Sequence, residues 1–422
     1  MRGFFSANNK VGQEFVFQTN SSSGTTFDPV VAMTLSKRAS WDLGLSGVNY
    51  FAGNSISYTY PNSSLKTVKL RTNRLTDIQS IQMPDDGISG YLDLSELKNC
   101  LSFRFHFNSA LTGVTMPNTT AFVNDIWFWL CNLIGTLDLS GIPNMGGALF
   151  ISNNSNLTGL TIPAYSSQVF NMFRINSCNI YGRVDLSGYT NLGGAIGLEG
   201  NLNITGVTFP NSSQNISSFT IGNNNFTHDL IISGLTGLGG LIQLDNLKSS
   251  NIIFPNSSNN ITNFNLTDCN FLSSVNLTSL SGMGGTINLQ ENTGVTSYNL
   301  TETSNSITSL GINQNYSLTN LDLSPLSGMS GTALLSNNTL LNNLILPSVF
   351  GGPVTSWQIQ DCNLPASGVN YVIYTIDNTG WTGGTLTIQG GGNSAPDGSS
   401  GGYNGTASTL SLVAKGWSVT TT

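Results

Sequence analysis

Catalysis at neutral pH needs a nucleophile, a proton-transfer group or a metal, and this chain has few side chains to supply one. It has two histidines, His106 and His228, more than a hundred residues apart, and five cysteines. No H-E-x-x-H, C-x-x-C, G-x-S-x-G or Walker spacing joins them to a partner. Asp85-Asp86 is the sole adjacent carboxylate pair. Glycoside hydrolysis needs a second acid at a set distance, and none is visible, so the pair is expected in a solvated turn. Asp245, Asp268 and Asp361 fall near turns without a D-x-D-x-D cluster, which predicts turn caps rather than calcium ligands. The pairs Gly146-Gly147, Gly193-Gly194, Gly239-Gly240 and Gly284-Gly285 precede strands and never open a helix. They are expected as turn glycines, not phosphate cradles. The expectation is a non-enzyme with no cofactor and no metal.

Binding chemistry is better supplied. Side chains alternate along a strand, so the residue between two buried anchors points outward. In four consecutive repeats that residue is Arg104, Trp127, Phe150 and Arg174, with His106 and Trp129 on the same face. Later repeats place Gly197, Thr220, Gln243, Asn265 and Asn288 there. A run of aromatic and guanidinium groups on an Asn/Ser surface suits stacking on sugar rings or anchoring a protein. Two readings stay open: a ligand site, or an interface covered by the N-terminal region or a neighbouring subunit.

What must position these residues is a repeat. Phe170, Phe173, Ile175, Cys178 and Ile180 fit L-x-x-L-x-L-x-x-[N/C]-x-L, the leucine-rich-repeat spacing. The second strand anchor recurs at Phe128, Ile151, Ile175, Leu198, Ile221, Leu244, Leu266, Leu289, Ile312, Leu335 and Ile359, in steps of 22–24 residues. Three residues beyond each anchor lie Cys131, Asn154, Cys178, Asn201, Asn224, Leu247, Cys269, Asn292, Asn315, Asn338 and Cys362, Asn or Cys in ten of eleven. A stacked Asn can satisfy turn backbone groups that an interior leaves unpaired, and Cys fills the same slot with a weak donor. Alternate repeats carry Pro117, Pro163, Pro210, Pro255, Thr301 or Pro347 after the second strand, and the others a D-L-S-like segment and a Gly-rich turn. The unit is therefore a two-coil cassette of roughly 46 residues.

Length grows freely in such an array because each coil packs only on its neighbours. Charged residues are 8% of the 422, and no helical period stands out, so an all-β form is predicted. Residues 1–75 hold eight Lys/Arg against three Asp/Glu (+5), the rest six against eighteen (−12), for a net −7. A basic head on an acidic array predicts docking by the head and no nucleic-acid binding by the array. Ladder cysteines two coils apart would lie ~9–10 Å apart at the strand spacing, beyond disulfide reach, so buried free thiols are expected. MRGFFSANNKVGQEF lacks the apolar core of a secretory signal, and no run long enough to span a membrane occurs.

The predicted organisation is an all-β, leucine-rich-repeat-like β-solenoid of about 14 coils. Residues 1–67 form a small β-sandwich-like head, 68–363 the solenoid and 364–422 an irregular C-terminal cap with final repeat strands. In the head, Trp41-Asp42-Leu43-Gly44, Tyr58-Thr59-Tyr60 and Val68-Lys69-Leu70 resemble a degenerate PKD-type sandwich that lacks the usual second Asp-Gly. Its other reading is a cap over the first coil. At the far end, G-G-T-L-x-I-x-G-G from Gly383 and L-x-x-K-G-W-x-V-T from Leu412 resemble leucine-rich-repeat surface proteins of Bacteroidetes-type bacteria and virion proteins of their phages. With the repeats, the resemblance covers residues 68–422. It implies a non-enzymatic virion structural or host-binding protein: a spike, fibre or decoration made in the host cytoplasm. Expected partners are other virion proteins through the head, a host surface glycan or protein, and a second copy of the chain. The alternative is an exported cell-surface adhesin, and the lack of a signal peptide favours the virion.

Overall fold

The computed structural model describes residues 12–20, 26–34, 37–45, 50–270, 272–303 and 305–421. Residues 1–11 of the N-terminal segment read above for a leader, with Arg2 and Lys10 of the basic head, lie outside them. The chain is a nearly all-β solenoid of about 12 turns, somewhat fewer than the spacing predicts. It forms two compact units, one of residues 1–181 and 186–192, the other of 182–185 and 193–422.

In the first unit the head closes around Phe15, Phe17, Phe27, Trp41, Tyr60 and Leu70, all buried. The Trp41 indole donates to Gly53 O at 3.0 Å and the Tyr60 hydroxyl to Leu43 O at 3.1 Å, so the buried polar tips are satisfied. Lys66–Thr72 pairs antiparallel with Gln13–Thr19 and Ser40–Asp42. The expected start of the array at Val68 therefore falls inside a head strand. The first coil begins instead at Ile78–Gln82, whose inner residues are Ile78 and Ile81, with Met83 following. Val30–Met33 lies antiparallel along that strand, and Gln13–Thr19 meets Ile88–Asp93 at its far end. The head thus pairs with strands on two sides of the first coil, whose N–H and C=O groups would otherwise be exposed.

Four further parallel strands follow in this unit, Ser102–Arg104, Val123–Trp127, Met145–Phe150 and Phe170–Arg174, in register one above the next. Their inner residues Phe103, Ile126, Leu149 and Phe173 are fully buried or nearly so. Each such side chain contributes about 1.5–3 kcal/mol through the apolar area it removes from water. Phe105 and Phe128 stack at 5.6 Å inside this core. In the second unit, which takes up the strand Leu192–Gly197 from Gly193 onward, the same series continues through Val354–Gln358. On the other side of the coils, short strands pair two by two: Gly135–Asp138 with Leu157–Thr161, Gly182–Asp185 with Ile204–Thr208, and Asn320–Asp322 with Asn343–Ile345. The pairs join the two coils of one cassette.

The turn after each main strand is built alike. A residue in the left-handed region (Phe107, Leu130, Asn153, Ser177, then Asn223 through Asp361) precedes the ladder position. The ladder side chain then turns inward. Asn154 donates to Ile151 O of its own coil at 2.5 Å and to Phe128 O of the coil before at 2.8 Å. Its Oδ1 accepts from Leu133 N at 3.1 Å. Asn224, Asn292 and Asn338 repeat the two donations. A cysteine makes its shorter contact to the previous coil, Cys131 to Phe105 O at 3.2 Å, Cys269 to Leu244 O at 3.0 Å and Cys362 to Leu335 O at 3.3 Å, and a longer one to its own coil, to Trp129 O, Thr267 O and Gln360 O at 3.4–3.9 Å. All five cysteines are buried and free of disulfides.

The ladder extends beyond its predicted ends. Asn108 bridges Met83 O and Phe105 O, each at 2.7 Å, and Asn393 bridges Ile359 O and Ile388 O. Asp86 holds the first slot and is fully buried, contrary to the solvated turn expected. The C-terminal cap is not irregular either. Helix α1 (Ala366–Asn378) and helix α2 (Gly405–Ala414) alternate with strands Gly384–Thr387 and Trp417–Thr420, which continue the parallel sheet. Val369, Val372, Ile373 and Ile376 form the buried stripe of α1. Asn404 caps α2 by accepting from Ala407 N at 2.9 Å. Such crossovers are what parallel strands require.

Candidate binding surface

The register of the first unit decides how the outward side chains meet. Gln82, Arg104, Trp127, Phe150 and Arg174 occupy one column, each directly paired with the next. Beside it runs a second column of His106, Trp129, Ser152 and Asn176, held by Phe107 N to Trp129 O, Leu130 N to Ser152 O and Asn153 N to Asn176 O at 2.9–3.0 Å. Parallel coils stack equivalent residues ~4.8 Å apart, about one aromatic stacking distance.

The rings use that spacing. His106 stacks on Trp129 at 5.2 Å and 7°, and Trp129 on Phe150 at 5.1 Å and 17°. Trp127 stands edge-on to Phe150 at 6.4 Å, and the Arg104 guanidinium lies 4.3 Å from the Trp127 ring centroid. Phe107, 43% exposed, adds an edge contact to Trp129 at 4.2 Å. Asp125 fixes Arg104 by an ion pair at 2.8 Å, and Ser102 Oγ donates to the same carboxylate oxygen at 3.3 Å. Burial, reinforced by the Arg104 charge, pushes His106 below its ordinary value. At neutral pH it is therefore an uncharged imidazole that can stack without a counter-ion.

The cluster carries polar atoms without partners. Arg104 Nε, His106 Nδ1, Trp127 Nε1, Trp129 Nε1, Arg174 Nε and Asn176 Oδ1 are covered by their neighbours yet make no hydrogen bond. A covered, unpaired donor or acceptor costs about 1–3 kcal/mol. Arg174 also has no ion pair among the described residues.

Comparison with protein families, with curated proteins and with solved structures returns no match for this chain. The geometry must therefore carry the reading.

All six residues singled out from the sequence sit together on this one face. Spacing along the chain could not reveal Phe107, which reaches the patch from a turn, or Asp125, which pins Arg104 from the adjacent coil. The remaining reactive residues serve the fold. His228 shares a 2.9 Å hydrogen bond with Thr227 Oγ1 at the surface. Asp245 accepts from Gln243 Nε2 at 2.6 Å and from Thr267 Oγ1 at 2.9 Å, and Asp268 from Asn270 Nδ2 at 2.6 Å. Asp361 occupies a left-handed turn position. Among the described residues no three His, Cys, Asp or Glu side chains gather as a metal site would need. Burial pushes the ladder thiols up, to about 12 at Cys131 and Cys269 and about 11 at Cys178 and Cys362. A thiol so protonated is a poor nucleophile. What the patch offers is stacking and hydrogen-bond donation.

Proposed function

We propose that this chain is a non-enzymatic virion protein of a bacteriophage, a spike, fibre or decoration, that meets the host surface through the aromatic face of its N-terminal coils. The observation that carries the reading is the run of Arg104, Trp127, Phe150 and Arg174 flanked by His106 and Trp129, a patch of rings and guanidinium groups with covered donors left unpaired. Surfaces of this composition anchor partners. The C-terminal resemblance to virion and surface proteins supports the setting, and a solenoid is compatible with such contacts. Lys37, Arg38 and Arg74 are exposed on the head, which suits docking onto other virion proteins. No helix among the described residues is long and apolar enough to cross a membrane.

The test is a mass-spectrometric survey of purified particles, combined with a Trp127→Ser/Trp129→Ser variant. The protein should be found in particles, and the variant should assemble and melt as the parent does while host adsorption is lost. Finding the protein on bacterial envelopes and not in particles would make it a cell-surface adhesin. Unchanged adsorption would remove the patch from the function.

A further inference from the structure

The unpartnered atoms specify what the patch would hold. Four of the six, the Nε of Arg104 and Arg174 and the indole nitrogens of Trp127 and Trp129, are N–H groups that can only donate. Asn176 Oδ1 is the one pure acceptor. A fitting partner is therefore rich in acceptors. The charge balance adds a sign, because Arg104 is neutralised by Asp125 at 2.8 Å whereas Arg174 has no carboxylate partner among the described residues. The unpaired guanidinium stands directly beside Phe150, at the end of the stack His106–Trp129–Phe150. One side of the site is thus a flat aromatic strip, and its end is a planar fork that matches a carboxylate bidentately.

We propose that the patch binds a carboxylate-bearing pyranose of an acidic polysaccharide. The apolar C–H face of the sugar lies on the Trp129–Phe150 strip, and the carboxylate meets the Arg174 guanidinium at its end. A neutral sugar would stack but leave Arg174 unanswered. An acidic peptide would answer Arg174 but offer no rigid apolar ring face to the strip. The inference rests on the proposed binding role of this face and names its ligand.

The experiment is titration calorimetry of the full chain with three probes: oligomeric uronates, the same oligomers after carboxyl reduction, and cello-oligosaccharides. The parent protein should bind the uronates at least tenfold more tightly than their reduced forms, and added salt should narrow that gap. Arg174→Gln should bring uronate affinity down to that of the reduced oligomer, and Arg174→Lys should recover part of it. Trp129→Ser should abolish binding of both, and Gln243→Ala, in a later coil, should change nothing. Melting temperatures unchanged across the set show that folding is intact; if Trp129→Ser fails to fold, the two Arg174 variants decide. Equal affinity for acidic and reduced oligomers, or no uronate binding by the parent, overturns the proposal. If uronates do not bind while the Trp127/Trp129 variant still loses adsorption, this ligand is wrong and the host-contact reading stands.

Discussion

Asp86→Asn should make the first coil more stable at alkaline pH and erase a pH dependence. Asp86 occupies the slot that Asn108 and Asn154 hold in the next coils, is fully buried, and accepts from Asp28 N at 2.7 Å. Burial pushes its carboxyl from 3.8 up to about 8; the Asp28 hydrogen bond opposes this, and the charges of Asp28 and Asp85 add to it. A raised folded value means the folded chain keeps the proton after the unfolded chain has released it. The stability is therefore fully present below the unfolded value near 4 and is lost as pH rises through about 8. With ~1.4 kcal/mol per pH unit, an interval of about four units amounts to on the order of 5 kcal/mol. Asparagine has no proton to lose and can keep the Asp28 contact. Parent and variant should thus agree near pH 4 and diverge steadily towards pH 8, with the variant the more stable. Repeat arrays open in segments, so the reading is hydrogen exchange in residues 78–92, corrected for intrinsic rates. A constant offset between the two proteins across pH would refute the reasoning.

Asn292→Ala removes donations to Leu266 O and Leu289 O and the acceptor of Cys269 N, at about 1–3 kcal/mol for each buried group left unpaired. Asn292→Cys should cost less, and urea midpoints of the two variants provide the comparison. Thiol labelling at pH 8 should be slow at Cys131, Cys178, Cys269 and Cys362 in the native protein and fast in denaturant, and rapid native labelling at any of them would place that thiol outside the ladder. Gly240→Ala should lower the melting temperature far more than Gly380→Ala. Both glycines have positive φ, a strain of ~1–2 kcal/mol for alanine, but only at Gly240 would a Cβ collide with backbone, the carbonyl of Ser217. Equal shifts would exclude the collision.

The solenoid and its outward columns were legible because stacking places like on like: one period in the sequence becomes one column in space, as Arg104, Trp127, Phe150 and Arg174 show. The first coil escaped the pattern because a carboxyl replaces the amide at Asp86 and Met83 replaces the usual branched anchor. The cap helices were missed although Val369, Val372, Ile373 and Ile376 keep helical spacing. That single stripe is short and follows hundreds of residues of strand period. The Arg104–Asp125 pair joins different columns of neighbouring coils. Nothing in a one-dimensional period encodes a diagonal contact, and the same holds for Phe107 against Trp129.

The bulges have a consequence for descent. Gly147, Gly240, Gly285 and Gly331 each lie where a strand holds one residue more than the strand before it, and a Cβ on any of them would meet the backbone carbonyl of Asn124, Ser217, Thr262 or Thr308 on that preceding strand. Bulged and plain coils must therefore alternate. A recombination event that drops one coil would set two glycine strands side by side, each without the partner strand whose register it fits. Removing two coils restores the alternation at once. Viable lengths of this lineage should accordingly differ by whole cassettes, the 45 or 46 residues between successive glycines from Gly240 to Gly331, and gaps or insertions of a single coil should be found only at the ends.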